Sequence, residues 1–271
     1  MKYLNAARSS RIKRIGLAIL TIALLGSGPR RELPAHVPLL DRKLYGPVSG
    51  DRYLTGRFNP PRHPDFIGLS RLGIPVSRRH YLRRDAARAL ARLYRAFRKE
   101  HPRVRFVIVS STRSFYSQKR IWERKWKGKT RVEGKYLPRT HRDPYRRGLF
   151  ILRYSSMPGT SRHHWGTDVD ITNFNNGYFE KGQGATLFRW LEKNAGRFGF
   201  CRPYTAGRKR GYQEEKWHWS YRPLSRIFLS EWNRRFAKRS RRLLRRGKFA
   251  GIRSLHRLAP VYVNSVNPDC K

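Results

Sequence analysis

Hydrophobic and polar positions follow a few distinct rhythms along this chain. Between Leu82 and Lys99, Ala86, Leu90, Leu93 and Phe97 recur at three- and four-residue intervals with arginines between them. That spacing predicts an amphipathic helix, closed at His101-Pro102. The segment from Val104 to Val109 is rich in β-branched residues and predicts a buried strand. A turn over Ser110 to Arg113 leads into a second helix, from Ser114 to Trp126. Leu187, Trp190, Leu191, Ala195 and Phe198 mark a third, closed near Gly199. Phe200 to Tyr204 and Trp217 to Tyr221 read as strands joined by a basic turn at Ala206-Gly207-Arg208. A last helix carries Phe228, Trp232, Phe236 and Leu243 on one side. Residues 29–81, rich in Pro, Gly and Arg, read as an extended lead-in anchored by Leu54, Phe58 and Phe66. Residues 127–147 read as a basic loop or flap. Helices and short strands without a βαβ rhythm or internal repeats predict an α+β domain.

The N-terminus has a different pattern. Lys2, Arg8, Arg11, Lys13 and Arg14 precede an apolar run from Ile15 to Leu25, followed by Gly26-Ser27-Gly28-Pro29. A basic head, a short apolar segment and small residues resemble a secretory signal. The run is short for a full membrane span. No Ala-x-Ala site follows, so residues 1–28 are read as either a signal peptide or an uncleaved anchor. Either places the protein in the cell envelope, periplasmic or otherwise outside the cytoplasm.

Composition adds one constraint. The chain has 62 Lys+Arg against 17 Asp+Glu, a net charge of +45. Such a surface attracts polyanions, whether nucleic acid, anionic lipid head groups or anionic envelope polymers. It identifies what is attracted and says nothing of chemistry. Hydrophobic content of 38% with 13% aromatics excludes a disordered chain. Two cysteines, Cys201 and Cys270, permit one disulfide outside a reducing cytosol, or two free thiols.

The candidate chemistry is concentrated in two stretches. Between Pro158 and Ile171 stand His163, His164, Asp168 and Asp170; between Glu214 and Tyr221 stand Glu215 and His218. Hydrolytic zinc is held by three His or carboxylate side chains, with a fourth position open to water. In an uninterrupted strand, the spacing of His163 and Asp170 would send them to opposite faces. They converge only if the chain bends, and Gly166 permits the bend. A loop carrying His163 into a strand carrying Asp170 is therefore expected. His218 alternates with Trp217 and Trp219 as on a strand with one polar face. Glu215, three residues before it, is the candidate general base. A lone histidine beside tryptophans is more often structural, so the joint pattern carries this reading. The helical His-Glu-x-x-His arrangement is absent.

Ser161, His163, Gly166 and Asp170, followed by Glu215, Trp217 and His218, resemble the signature of the zinc D-alanyl-D-alanine carboxypeptidase family, the group with VanY-type enzymes. Ser110-Ser111-Thr112-Arg113-Ser114 with Gln118 is similar to the family's arginine-bearing segment, and the likeness runs from about residue 82 to 222. The resemblance implies a hedgehog/D-Ala-D-Ala peptidase-like fold, a small central antiparallel sheet flanked by helices. It implies a catalytic domain over 82–222; residues 223–271, outside the likeness, read as a basic helix and tail. It also implies Zn²⁺ on His163, Asp170 and His218, Glu215 as base, and Arg113 beside the scissile carbonyl. Ser161 and Gln118 would touch the substrate. Two departures stand out. Asp168 occupies a position usually small, where it could brace a ligand histidine or face away; Lys216 stands where Pro is frequent. His164, beside His163, is the competing ligand.

The expected activity is removal of a terminal D-Ala from peptidoglycan stem peptides. Within the same fold, L,D-carboxypeptidase, dipeptidase and endopeptidase cleavage are alternatives. From another class comes a non-catalytic zinc protein binding polyanions through its C-terminal basic helix. The export signal and Glu215 weigh against that, and no specific nucleic-acid partner is expected.

Overall fold

The computed structural model describes residues 44–245 and 248–271. The N-terminal apolar run lies outside them, and no described helix is long and apolar enough to cross a membrane. The lead-in supplies a short helix, α1 (Gly50–Leu54), and a strand, β1 (Phe66–Gly68), which pairs antiparallel with β2 (Tyr81–Arg83). Then come α2 (Arg84–Glu100), β3 (Ile108–Ser110) and α3 (Phe115–Trp126). Two short helices, α4 (Leu137–Thr140) and α5 (Pro144–Leu152), precede β4 (Asp168–Ile171) and α6 (Gly182–Asn194). The chain continues through β5 (Phe200–Cys201), β6 (His218–Tyr221), the long α7 (Arg222–Arg245), α8 (Ile252–Leu255) and α9 (Ala259–Asn264). Strands β3 to β6 form one antiparallel sheet in the order β3-β4-β6-β5. The α+β class expected from the sequence is thus the observed one.

The two central strands divide their residues by face. Asp168 lies opposite Ser220, Val169 opposite Trp219, and Asp170 opposite His218. Because successive strand side chains alternate, Val169, Ile171 and Trp219 join a core with Leu90, Leu93 and Phe97 of α2 and Leu187 of α6. Asp168, Asp170, His218 and Ser220 share the other face, and all four are buried. A second core gathers Leu54, Phe115, Trp122, Trp165, Phe228 and Trp232. Four polar side chains are therefore enclosed, which requires that each find partners.

The structure departs from the expected elements in three places. The strand expected over Val104 to Val109 is confined to Ile108–Ser110. Upstream, side chains take the backbone bonds: Arg105 N–H donates to Gln183 Oε1, and Arg98 donates to the Val104 carbonyl. Residues 127–147 are partly helical. Asp143 caps α5 by accepting from the Arg146 N–H at 2.8 Å, Pro144 occupies the first turn, and Ile151 and Leu152 are buried. The strand expected through Tyr204 stops at Cys201, shortly before Pro203, which has no N–H to donate. Cys201 and Cys270 form a disulfide, tying the C-terminal segment to β5.

Candidate metal centre

His163 sits in a 3₁₀ turn, Arg162–Trp165, which ends at Gly166 with φ at +74°. A side chain there would be strained by that φ, and its Cβ would lie 2.5 Å from the Phe66 ring. This bend lets His163 and Asp170 face one another from a loop and a strand. His163 Nε2 lies 3.2 Å from Asp170 Oδ2, and His218 Nδ1 lies 3.0 Å from Asp170 Oδ1. One ligand atom from each of the three residues lies within 4.8 Å of the other two, and all three residues are buried.

Each imidazole is turned by its other nitrogen. His163 Nδ1–H donates to the Ser111 carbonyl at 2.8 Å, which leaves the Nε2 lone pair directed at the centre. His218 Nε2–H donates to Asp168 Oδ2 at 2.9 Å, which leaves Nδ1 directed there. His163 Nε2 and Asp170 Oδ1 are buried and have no hydrogen-bond partner among the described residues. Two nitrogens and a carboxylate converging around unsatisfied buried atoms form a donor set that suits a borderline divalent ion such as zinc.

Asp168 is the best-satisfied group of the site. Oδ2 accepts from Arg162 Nε at 3.1 Å as well as from His218, and Oδ1 accepts from Ser220 and Thr167 hydroxyls at 2.8 and 2.6 Å. Of the two roles open to it, the structure selects the brace for a ligand histidine. Arg162 and Ser220 join this network, since Arg162 also donates to Ser220 Oγ at 2.8 Å. Neither is distinguishable beforehand in a chain with so many arginines.

Glu215 is buried and brings Oε2 to 3.3 Å from His218 Nδ1. Burial raises its carboxyl above the ordinary range, against the His218 hydrogen bond. Burial would lower His218, yet the hydrogen bond to Asp168 and the nearby carboxylates of Asp170 and Glu215 favour the protonated ring and raise it well above the usual imidazole value. Burial and the Arg113 charge push His163 down to about 4. Burial opposes ionisation of Asp170, but His163 and His218 hold it well below the usual carboxylate range.

Arg113 enters from the turn after β3, its Nη2 3.5 Å from Asp170 Oδ2 and its Nη1 donating to Gln118 Oε1 at 3.0 Å. The resemblance assigns Gln118 a contact with substrate. Here Gln118 is fully buried, its Nε2 donating to the Ser156 carbonyl at 2.7 Å, and it braces Arg113. Ser161 is buried at the start of the 3₁₀ turn. His164 stands outside the ligand triad: its Nδ1–H donates to the Arg113 carbonyl at 2.7 Å, and its Nε2 accepts from the Gly159 N–H at 3.1 Å. Lys216 uses the N–H that a proline would lack, donating to Asn176 Oδ1 at 2.9 Å. The Arg113, Asp170 and Glu215 side chains open onto a cleft of about 600 Å³, which Tyr154, Phe174 and Trp217 also line.

This chain is similar to several known proteins. A D-alanyl-D-alanine carboxypeptidase of Enterococcus faecalis is 38% identical over 68 residues, 24% of each chain. YodJ of Bacillus subtilis is 28% identical over 147 residues, 53% of this chain and 47% of YodJ. The chain therefore spans less than half the length of either curated relative. A crystal structure of the D,D-pentapeptidase VanY in complex with Zn(II) is 24% identical, with a TM-score of 0.42, covering 57% of this chain and 82% of that one. The family model for VanY, D-alanyl-D-alanine carboxypeptidase, matches residues 79–224, over half of the sequence and inclusive of every residue of the site. This chain belongs to the VanY D-alanyl-D-alanine carboxypeptidase family.

Proposed function

We propose that this protein is a zinc-dependent peptidase that removes the terminal D-alanine from peptidoglycan stem peptides in the cell envelope. The observation that carries the reading is the meeting of His163, Asp170 and His218 within 4.8 Å, with Glu215 beside them. Those three residues would hold Zn²⁺. Bound zinc supplies Lewis acidity, which makes water a competent nucleophile near neutral pH and polarises a carbonyl.

The protein's own groups divide the remaining work. Glu215, enclosed and raised in pKa by burial, takes the proton of the attacking water and passes it to the leaving amine. Arg113, held by Gln118 and Asp170, presents a fixed cation to the oxygen that gains charge as the carbonyl becomes tetrahedral. Ser111, through its carbonyl, and Asp168 fix which nitrogen of each histidine faces the centre. The Cys201–Cys270 disulfide and the signal-like N-terminus support residence outside a reducing cytosol. The basic surface would hold the enzyme near anionic envelope polymers or lipid head groups.

Chelator-treated and zinc-restored protein is assayed on muropeptides by mass spectrometry. Loss of one alanine from a pentapeptide, abolished by chelation and restored by zinc, is expected. Unchanged activity in Glu215→Ala would refute the assignment. Loss of a dipeptide, of the fourth residue, or opening of cross-links would identify the other cleavage modes.

A further inference from the structure

Helix α3 turns one stripe inward: Gln118, Ile121, Trp122 and Lys125 follow at three- and four-residue spacing. Gln118 and Trp122 are fully buried, and Lys125, half-buried, is the one charged member of the stripe. Burial lowers its ammonium pKa, with the Glu215 charge opposing and the Arg113 charge adding to the effect. Cations withdrawn from water are normally paired, and the same helix shows the usual solution, with Lys119 2.6 Å from Glu123. Lys125 instead donates to the Ser155 hydroxyl at 2.7 Å, and no carboxylate among the described residues forms an ion pair with it. An ammonium has three donors, so two remain.

Lys125 and Ser155 line the same cleft as Arg113, Asp170 and Glu215. The other cleft cations are differently placed. Arg113 is engaged by Asp170 and Gln118, and Arg78 is exposed, where water screens its charge. Lys125 is thus a partly desolvated positive charge, backed by a hydroxyl and facing the space a peptide would fill.

We propose that Lys125 and Ser155 form an anion subsite that takes a carboxylate of the bound peptide. The carboxylate is supplied either by the chain terminus or by an acidic side chain. The inference rests on the peptidase reading for its substrate, while the subsite's chemistry stands on the Lys125–Ser155 pair in the cleft. Such a group lets the enzyme distinguish a free acid from the neutral amide of an interior chain. A charge-assisted hydrogen bond of this kind is worth about 10- to 100-fold in affinity.

The test uses the zinc-loaded full chain and three stem pentapeptides: the free acid, its C-terminal amide, and the form with its side-chain carboxyl amidated. Wild type is expected to favour the free acid through KM. In Lys125→Met, which keeps the aliphatic stem, the preference for acid over one of the amides should shrink about 10- to 100-fold. Lys125→Arg should retain much of it. The amide whose disadvantage disappears identifies the carboxylate bound. An equal loss on all three peptides, or no change in preference, would overturn the subsite. If wild type hydrolyses none of them, the peptidase reading fails separately. Calorimetric binding of the same peptides then decides, with acid–amide discrimination in wild type and its loss in Lys125→Met supporting the subsite. Absence of discrimination overturns it.

Discussion

His218 Nε2 and Asp168 Oδ2 lie 2.9 Å apart, and this contact decides which nitrogen of His218 faces the metal centre. Removing a carboxylate that orients a ligand histidine typically weakens metal binding about 10- to 100-fold. Asp168→Asn keeps an acceptor and should fall toward the lower end of that range; Asp168→Ala should fall toward the upper. The alanine variant also strands the buried Arg162 guanidinium, at a cost of about 3–5 kcal/mol. Zinc competition against a chromophoric chelator measures the first effect and denaturant unfolding the second. Restoring stability, but not zinc affinity, in the double variant Arg162→Met/Asp168→Ala would separate them.

Gly166 joins His163 to the strand that carries Asp170. Its φ is +74°, and a Cβ at this position would meet the Phe66 ring at 2.5 Å, which leaves no room for a side chain. Gly166→Ala should cost at least about 1–2 kcal/mol from backbone conformation alone. It should also weaken zinc binding, because relief of the clash displaces His163. Unfolding midpoint and zinc affinity should fall together. An alanine variant with wild-type values for both would show that the bend is set elsewhere.

The metal centre was legible because strand alternation and one glycine suffice to bring its parts together. The Trp217-His218-Trp219 alternation and the Asp168-Val169-Asp170-Ile171 run each announce a strand with a polar face, and the sheet pairs those faces. What decides the role of Asp168 is a cross-strand register, Asp168 opposite Ser220, and no local pattern contains it. Helix α5 was hidden for a different reason. Arg142, Arg146 and Arg147 obscure the apolar period, although Asp143-Pro144 is a sound helix start. Lys125 drew no notice in the sequence, because one lysine in so basic a helix carries no signal until the fold turns it toward Ser155.

The disulfide closes a long loop, since Cys201 and Cys270 are 69 residues apart in sequence. Cross-linking a loop of this length stabilises a fold by about 4 kcal/mol on the chain-entropy account. Cys270→Ser, or reduction of the wild type, should lower the unfolding free energy by roughly that amount. Cys201 lies beside β6, whose first residue is His218, so limited proteolysis of the reduced protein should also open the C-terminal segment first. Equal unfolding midpoints with and without reductant would show that the bond contributes nothing to stability.

His80 should make the metal-free protein sensitive to mild acid. It is buried, its Nδ1 3.1 Å from Ser111 Oγ and its Nε2 3.3 Å from Ser77 Oγ, and the Ser111 carbonyl in turn holds His163. Burial, then the charges of Arg78 and His163, push its pKa down to about 4. The folded chain therefore keeps His80 neutral where the unfolded chain protonates it. The unfolded state binds more protons between about pH 6.5 and pH 4, so stability declines as pH falls through that window. The slope from this residue is at most about 1.4 kcal/mol per pH unit. Denaturant unfolding in chelator at pH 7.5, 6 and 5 should show the decline, and His80→Gln should flatten it. If the two proteins lose stability in parallel, the acid sensitivity belongs to other groups.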